Sequence, residues 1–100
     1  MSYSVILSPR AFRQLGAIEA WIEQESGPAV ARNYRQEIVT HCYQLESFPE
    51  RGTPRSDLSP GLRTIVHRRR VTIAYEVEHA RVVIVAIVGR GRDIGAAISE

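Results

Sequence analysis

The apolar residues of this chain change their repeat once, and that change constrains the fold more than any other feature. From Phe12 to Leu45 they recur every three to four residues; from Leu62 to Val88 the period becomes two. The first spacing marks amphipathic helices and the second marks half-buried strands. A helical block followed by a strand block predicts an α+β fold, because each block has an apolar face to bury and the other block is there to cover it.

The boundaries follow from local chemistry. Tyr3 to Leu7 reads as a short first strand. Ser8 and Pro9 read as an N-cap followed by proline at the first helical position, where its missing N–H costs nothing. Phe12, Leu15, Ile18 and Ile22, with Trp21 beside them, then form one helical stripe to about Glu25. Gly27 ends that helix and Pro28 opens the next, whose stripe is Ala31, Tyr34, Ile38, Cys42 and Leu45. Two helices joined by so short a turn are predicted to pack antiparallel. Phe48 to Pro54 and Leu58 to Gly61 read as loop and turn. Beyond Leu62, Arg63 and Ile65 point one way and Thr64 and Val66 the other. Val71, Ile73 and Tyr75 share a face, opposite Thr72, Ala74 and Glu76. Turns are expected at His67–Arg68 and at Glu78–Ala80. The run from Val82 to Val88 is apolar on both faces, so it is expected at the centre of the sheet with the first strand beside it. The tail Ile94 to Ile98 is weakly patterned. The expected architecture is a single domain over residues 1–100: an N-terminal strand, an antiparallel helix hairpin, then a three-stranded antiparallel meander, with the helices on one face of the sheet.

Charge is modest in total and uneven in placement. The net charge is +2, but residues 61–70 carry four arginines and a histidine with no acid, while residues 19–25 carry three glutamates and no base. All thirteen basic residues are arginine, whose rigid fork suits carboxylates and phosphates. A basic surface of this kind is expected to meet an acidic partner. The single cysteine, Cys42, excludes an internal disulfide and lies at a helical core position. Met1 to Ile6 lacks the basic start and long apolar run of a signal peptide, and 82–88 is too short to span a bilayer as a helix. The chain therefore reads as cytoplasmic.

Cofactor chemistry finds no footing in the sequence. His41, His67 and His79 stand in no zinc-ligand spacing with Cys42. Gly89-Arg90-Gly91 follows a strand but lacks the third glycine of a dinucleotide loop. Asp57, Glu76 and Asp93 form no acid/base pair. No metal and no cofactor are expected. One metal-free activity stays open: RNA cleavage, in which Arg63, Arg70, Arg90 and Arg92 would stabilise charge and His67 or Tyr75 would move a proton.

Motif order adds a resemblance. Leu7-Ser8-Pro9-Arg10-Ala11, then Phe48-Pro49, then Asp57-Leu58-Ser59-Pro60-Gly61-Leu62-Arg63, with Arg70 to Val77 and the ending Ile87-Val88-Gly89-Arg90-Gly91-Arg92-Asp93, resembles the ParE side of the RelE/ParE toxin superfamily. The resemblance implies a toxin of a toxin–antitoxin module, neutralised by a small DNA-binding antitoxin with an acidic or amphipathic C-terminal segment. ParE-type members poison DNA gyrase; RelE-type members cleave mRNA on the ribosome. Where the RelE branch carries an arginine in the second meander strand, a further arginine after the last strand and a C-terminal tyrosine, this chain has Thr72, Gly91 and Ala97. The expectation is therefore gyrase inhibition with no catalytic residues, and mRNA cleavage or an inactive binding component as the alternatives. Arg63, Arg68, Arg69 and Arg70, with Leu15 and Ile22, are expected to contact the antitoxin in a groove between helix hairpin and sheet, walled by residues 8–25 and the basic strand ends. Arg90, Arg92 and Asp93 are assigned to the target. No membrane contact and no direct sequence-specific DNA binding are expected.

Overall fold

A computed structural model of the chain describes residues 3–89 and 91–100. Strand β1 (Ser4–Leu7) leads into helix α1 (Pro9–Ser26), which turns directly into α2 (Pro28–Tyr43) and a 3₁₀ turn at Gln44–Glu46. Strands β2 (Thr53–Pro54), β3 (Arg63–His67), β4 (Val71–Glu78) and β5 (Arg81–Gly89) follow, and helix α3 (Ile94–Ala97) closes the described chain. The sheet order is β1-β5-β4-β3-β2. β1 runs parallel to β5, and the other neighbours are antiparallel.

The expected helix signals operate as chemistry predicts. Ser8 caps α1, its hydroxyl accepting from the Ala11 N–H at 3.0 Å, with Pro9 in the first turn. Gly27 has φ 91° and serves both helices, ending α1 and preceding Pro28 of α2. Only glycine adopts that conformation without a Cβ penalty. The two helices lie on one face of the sheet. There Leu15, Ile38, Cys42 and Leu45 meet Ile73, Tyr75, Val82, Ile84 and Ile87 in the larger core.

Four elements depart from the sequence expectation. Phe12 and Trp21 are exposed rather than buried, at 59% and 63%. At about 100° per residue, Phe12 stands about 60° to one side of Leu15 and Trp21 about 120° to the other, so both flank the stripe. Arg35 covers Phe12, its guanidinium carbon 5.3 Å from the ring centre, while bridging to Glu19 at 2.7 Å. The stretch read as loop contains β2, which pairs with Arg63 and Thr64 and extends the meander. The weakly patterned tail forms α3, which closes a second core on the opposite face from Leu62, Ala74, Ala86, Val88 and Ala97. Small residues on both sides let that short helix sit close to the sheet. Finally, β5 is interior but second in order, and β4 occupies the middle.

The β5 edge explains how α1 is placed. A register shift at Ala74/Tyr75 leaves Val85 without a partner on β4, a bulge. β1 ends opposite Ile84, and beyond it α1 supplies the missing partners. The Ser8 N–H donates to the Ile84 carbonyl at 2.9 Å. The Ser8 hydroxyl donates to the Val85 carbonyl at 3.3 Å, and the Ile87 N–H donates to Gln14 Oε1 at 2.8 Å. Buried backbone groups need such partners, so these contacts fix the helix against the sheet.

Candidate functional site: a basic-edged groove between α1 and the sheet

Where α1 diverges from β4 and β5 it leaves a groove of about 1170 Å³. Its apolar part is Ile18, Trp21 and Ile22 of α1, Val30 and Tyr34 of α2, and Ile87 and Val88 of β5. Arg13, Arg70 and Arg92 stand around it, with Glu25 and Glu100 as acids on the wall. Arg92 pairs with Glu100 at 3.2 Å. An apolar floor with cations at the rim suits an acidic-apolar segment.

The sequence candidates divide between this groove and the framework. Ile22, Arg70 and Arg92 line the groove. Leu15 does not: it is 1% exposed in the larger core, covered by its own chain. Arg63 begins β3, about 13 Å along the strand from His67 at about 3.3 Å per residue, so it is not part of one patch with Arg68–Arg70. Its guanidinium donates to the Glu50 and Gly52 carbonyls at 3.0 and 2.8 Å, clasping the loop before β2. Asp93 caps α3, accepting from the Gly95 N–H at 2.8 Å. Arg90 lies outside the described residues. Arg13, Gln14 and Trp21 fall within the expected wall 8–25 without having been singled out, and Val30 was missed. Trp21 carried a signal, since Gln14, Ala17, Ile18, Trp21 and Glu25 fall on one arc of the helix, next to the Leu15 stripe.

Arg68 and Arg69 form the turn between β3 and β4, with φ 51° and 57°. The Arg70 N–H closes it on the His67 carbonyl at 2.9 Å. Two consecutive left-handed residues suit the twist of a tight hairpin but are unusual for side chains with a Cβ. Arg68, Arg69 and Arg70 are all exposed, and Arg68 pairs with Glu37 of α2 at 3.0 Å.

Two further clusters take up the groups considered for proton transfer. His67 contacts His41 (Nδ1 to Nδ1, 3.0 Å) and Glu37 (Nε2 to Oε1, 3.3 Å), with Tyr34 edge-on. Burial, then His67 and Arg51, hold the His41 pKa below the ordinary histidine value. The Tyr75 side chain is fully buried, and its hydroxyl accepts from the Gly52 N–H at 2.9 Å. Burial pushes that hydroxyl's pKa up, the Gly52 contact opposing. Among the described residues, no three histidine, cysteine or acidic side chains are grouped to hold a metal ion, and no helix is long and apolar enough to cross a membrane.

The N-terminal strand, the helix hairpin and the sheet packed against it match the RelE/ParE architecture. A chain from the chromosomal ParDE TA system of P. aeruginosa is similar to this one, with a TM-score of 0.78 and 25% identity over 88% of this chain and 96% of that chain. The model of the ParE toxin of the type II toxin–antitoxin system, parDE, matches residues 5–94, and the chain belongs to that family. No curated protein sequence matches it.

Proposed function

We propose that this chain is the toxin of a toxin–antitoxin pair, that it acts by binding DNA gyrase and blocking replication, and that an antitoxin neutralises it by laying an acidic-apolar segment into the α1–sheet groove. The observation that carries the reading is the family match over residues 5–94. Three features of the molecule favour binding over RNA cleavage. The Tyr75 hydroxyl is sealed in the core against Gly52. The His67 ring is engaged on both nitrogens. Ala97, where the RelE branch carries tyrosine, is 1% exposed and packs among Leu62, Ala86 and Val88, so a large ring there would open the second core. Of the expected antitoxin contacts, Arg70 and Ile22 stay with the groove, while Arg68 and Arg69 lie at the adjoining turn.

The test is a gyrase supercoiling and cleavage-complex assay with the purified toxin. Inhibition or trapped cleavage complex, reversed by the antitoxin encoded beside it, is the expected result. No effect at a large molar excess sinks the gyrase assignment. Discrete cuts in translated message, read by primer extension, would assign the chain to mRNA cleavage instead.

A further inference from the structure

The lining of the groove already includes a carboxylate that the chain itself holds in place. Glu100 lies on the groove wall, held from two sides. Gln14 Nε2 donates to its Oε1 at 3.0 Å, and Arg92 donates to its Oε2 at 3.2 Å. The Arg10 Nε–H also donates to the Glu100 backbone carbonyl at 3.0 Å. Gln14 cannot turn away. Its Oε1 is committed to the Ile87 N–H of β5, so the amide nitrogen must face outward, and it donates to the Ala97 carbonyl as well as to Glu100. The result is a carboxylate seat with one donor anchored to the sheet and one exposed guanidinium.

We propose that this seat is the subsite for an acidic side chain of the antitoxin, and that Glu100 is an internal place-holder which that side chain displaces. The proposal rests on the reading of the groove as the antitoxin site and adds a regulatory feature to it. The occupant is chosen by charge: the seat holds a carboxylate, and the cations beside it leave a segment bearing Asp or Glu next to apolar residues as the complementary partner. The place-holder is weakly held, because the Arg92 and Glu100 side chains are 66% and 43% exposed and such pairs contribute little in water. It is therefore exchangeable, yet it lowers the affinity of any partner that must evict it.

The experiment is a titration of the full chain with the full-length antitoxin encoded beside it, at low and raised salt, for wild type, Glu100→Gln, Arg92→Gln and the double variant. Glu100→Gln is expected to bind two- to five-fold more tightly, with the gain shrinking at high salt. Arg92→Gln is expected to bind more weakly, and in that background Glu100→Gln is expected to change affinity little, the signature of a shared seat. Unchanged or weaker binding by Glu100→Gln overturns the proposal, as does an equal gain with and without Arg92. If Trp21→Ala and Arg70→Glu both leave antitoxin affinity unchanged, or wild type does not bind, the groove reading itself fails and the proposal fails with it.

Discussion

Replacing Gly52 with alanine tests the most tightly constrained contact in the fold. Gly52 does not lie in the left-handed region, so its requirement is space and not backbone freedom. A Cβ built there would stand 2.5 Å from the Tyr75 hydroxyl oxygen, 2.9 Å from its ring and 3.0 Å from the Thr64 carbonyl oxygen. Two of these neighbours belong to a ring with no exposed surface, and the third is strand backbone. None can yield cheaply. Overpacking of this kind costs about 1–3 kcal/mol. Pushing the ring away also weakens the Gly52 N–H to Tyr75 bond, which adds about 1 kcal/mol. The expected loss is about 2–4 kcal/mol, a large share of the roughly 5–15 kcal/mol that holds a domain of this size. Urea unfolding followed by circular dichroism measures it, as a lower midpoint at unchanged slope. Tyr75→Phe removes the closest contact but strands the Gly52 N–H, so it is also destabilising. The Gly52→Ala/Tyr75→Phe pair is expected to lose less than the sum of the single changes. A loss below about 0.5 kcal/mol for Gly52→Ala, or strict additivity in the double variant, would refute the reasoning.

Three other outcomes follow from the same geometry. Because the His41 pKa lies below its unfolded value of 6.5, the unfolded chain binds more protons in the window below pH 6.5. The stability that neutral His41 contributes is thus complete above that pH and is lost as pH falls through the folded pKa; His41→Gln should flatten this part of a stability–pH profile. Burial pushes the Cys42 thiol up to about 12, so alkylation at pH 8 should follow unfolding, and rapid labelling of the folded protein would contradict the core placement. The single tryptophan, Trp21, is largely exposed at the groove, so its emission should shift to the blue when an antitoxin segment covers it, and an unmoved spectrum on saturation would place the segment elsewhere.

Much of the fold was legible because local signals and the global pattern agree. Ser8-Pro9, Gly27-Pro28 and the period change near Leu62 each mark a boundary by themselves, and the two apolar faces of Val82–Val88 report that β5 is covered on both sides. What escaped depends on distant partners. β2 is two residues long and exists only because Thr53 and Pro54 meet Thr64 and Arg63. α3 is four residues long, and its apolar spacing gains meaning only beside Ala74 and Ala86. The groove was anticipated between helices and sheet, but its residues were only partly identified. Composition marks an arginine as basic without telling whether it will clasp a loop, as Arg63 does, or rim a groove, as Arg70 does. Leu15 and Trp21 exchange roles for a similar reason: hydrophobicity puts both near the stripe, and a rotation about the helix axis decides which one the chain covers.

The pairing of β1 with β5 sets an order of events during synthesis. Ser4 lies opposite Arg81, so β1 has no neighbour in the sheet until β5, more than seventy residues later, has left the ribosome. Closing so long a loop is a slow, entropically opposed step. β5 also supplies residues to both cores, and a chain halted before it would have neither a seat for its first strand nor a wall for its helix hairpin. The groove therefore exists only once β5 has been made, and termination anywhere upstream of Arg81 yields a fragment without that surface.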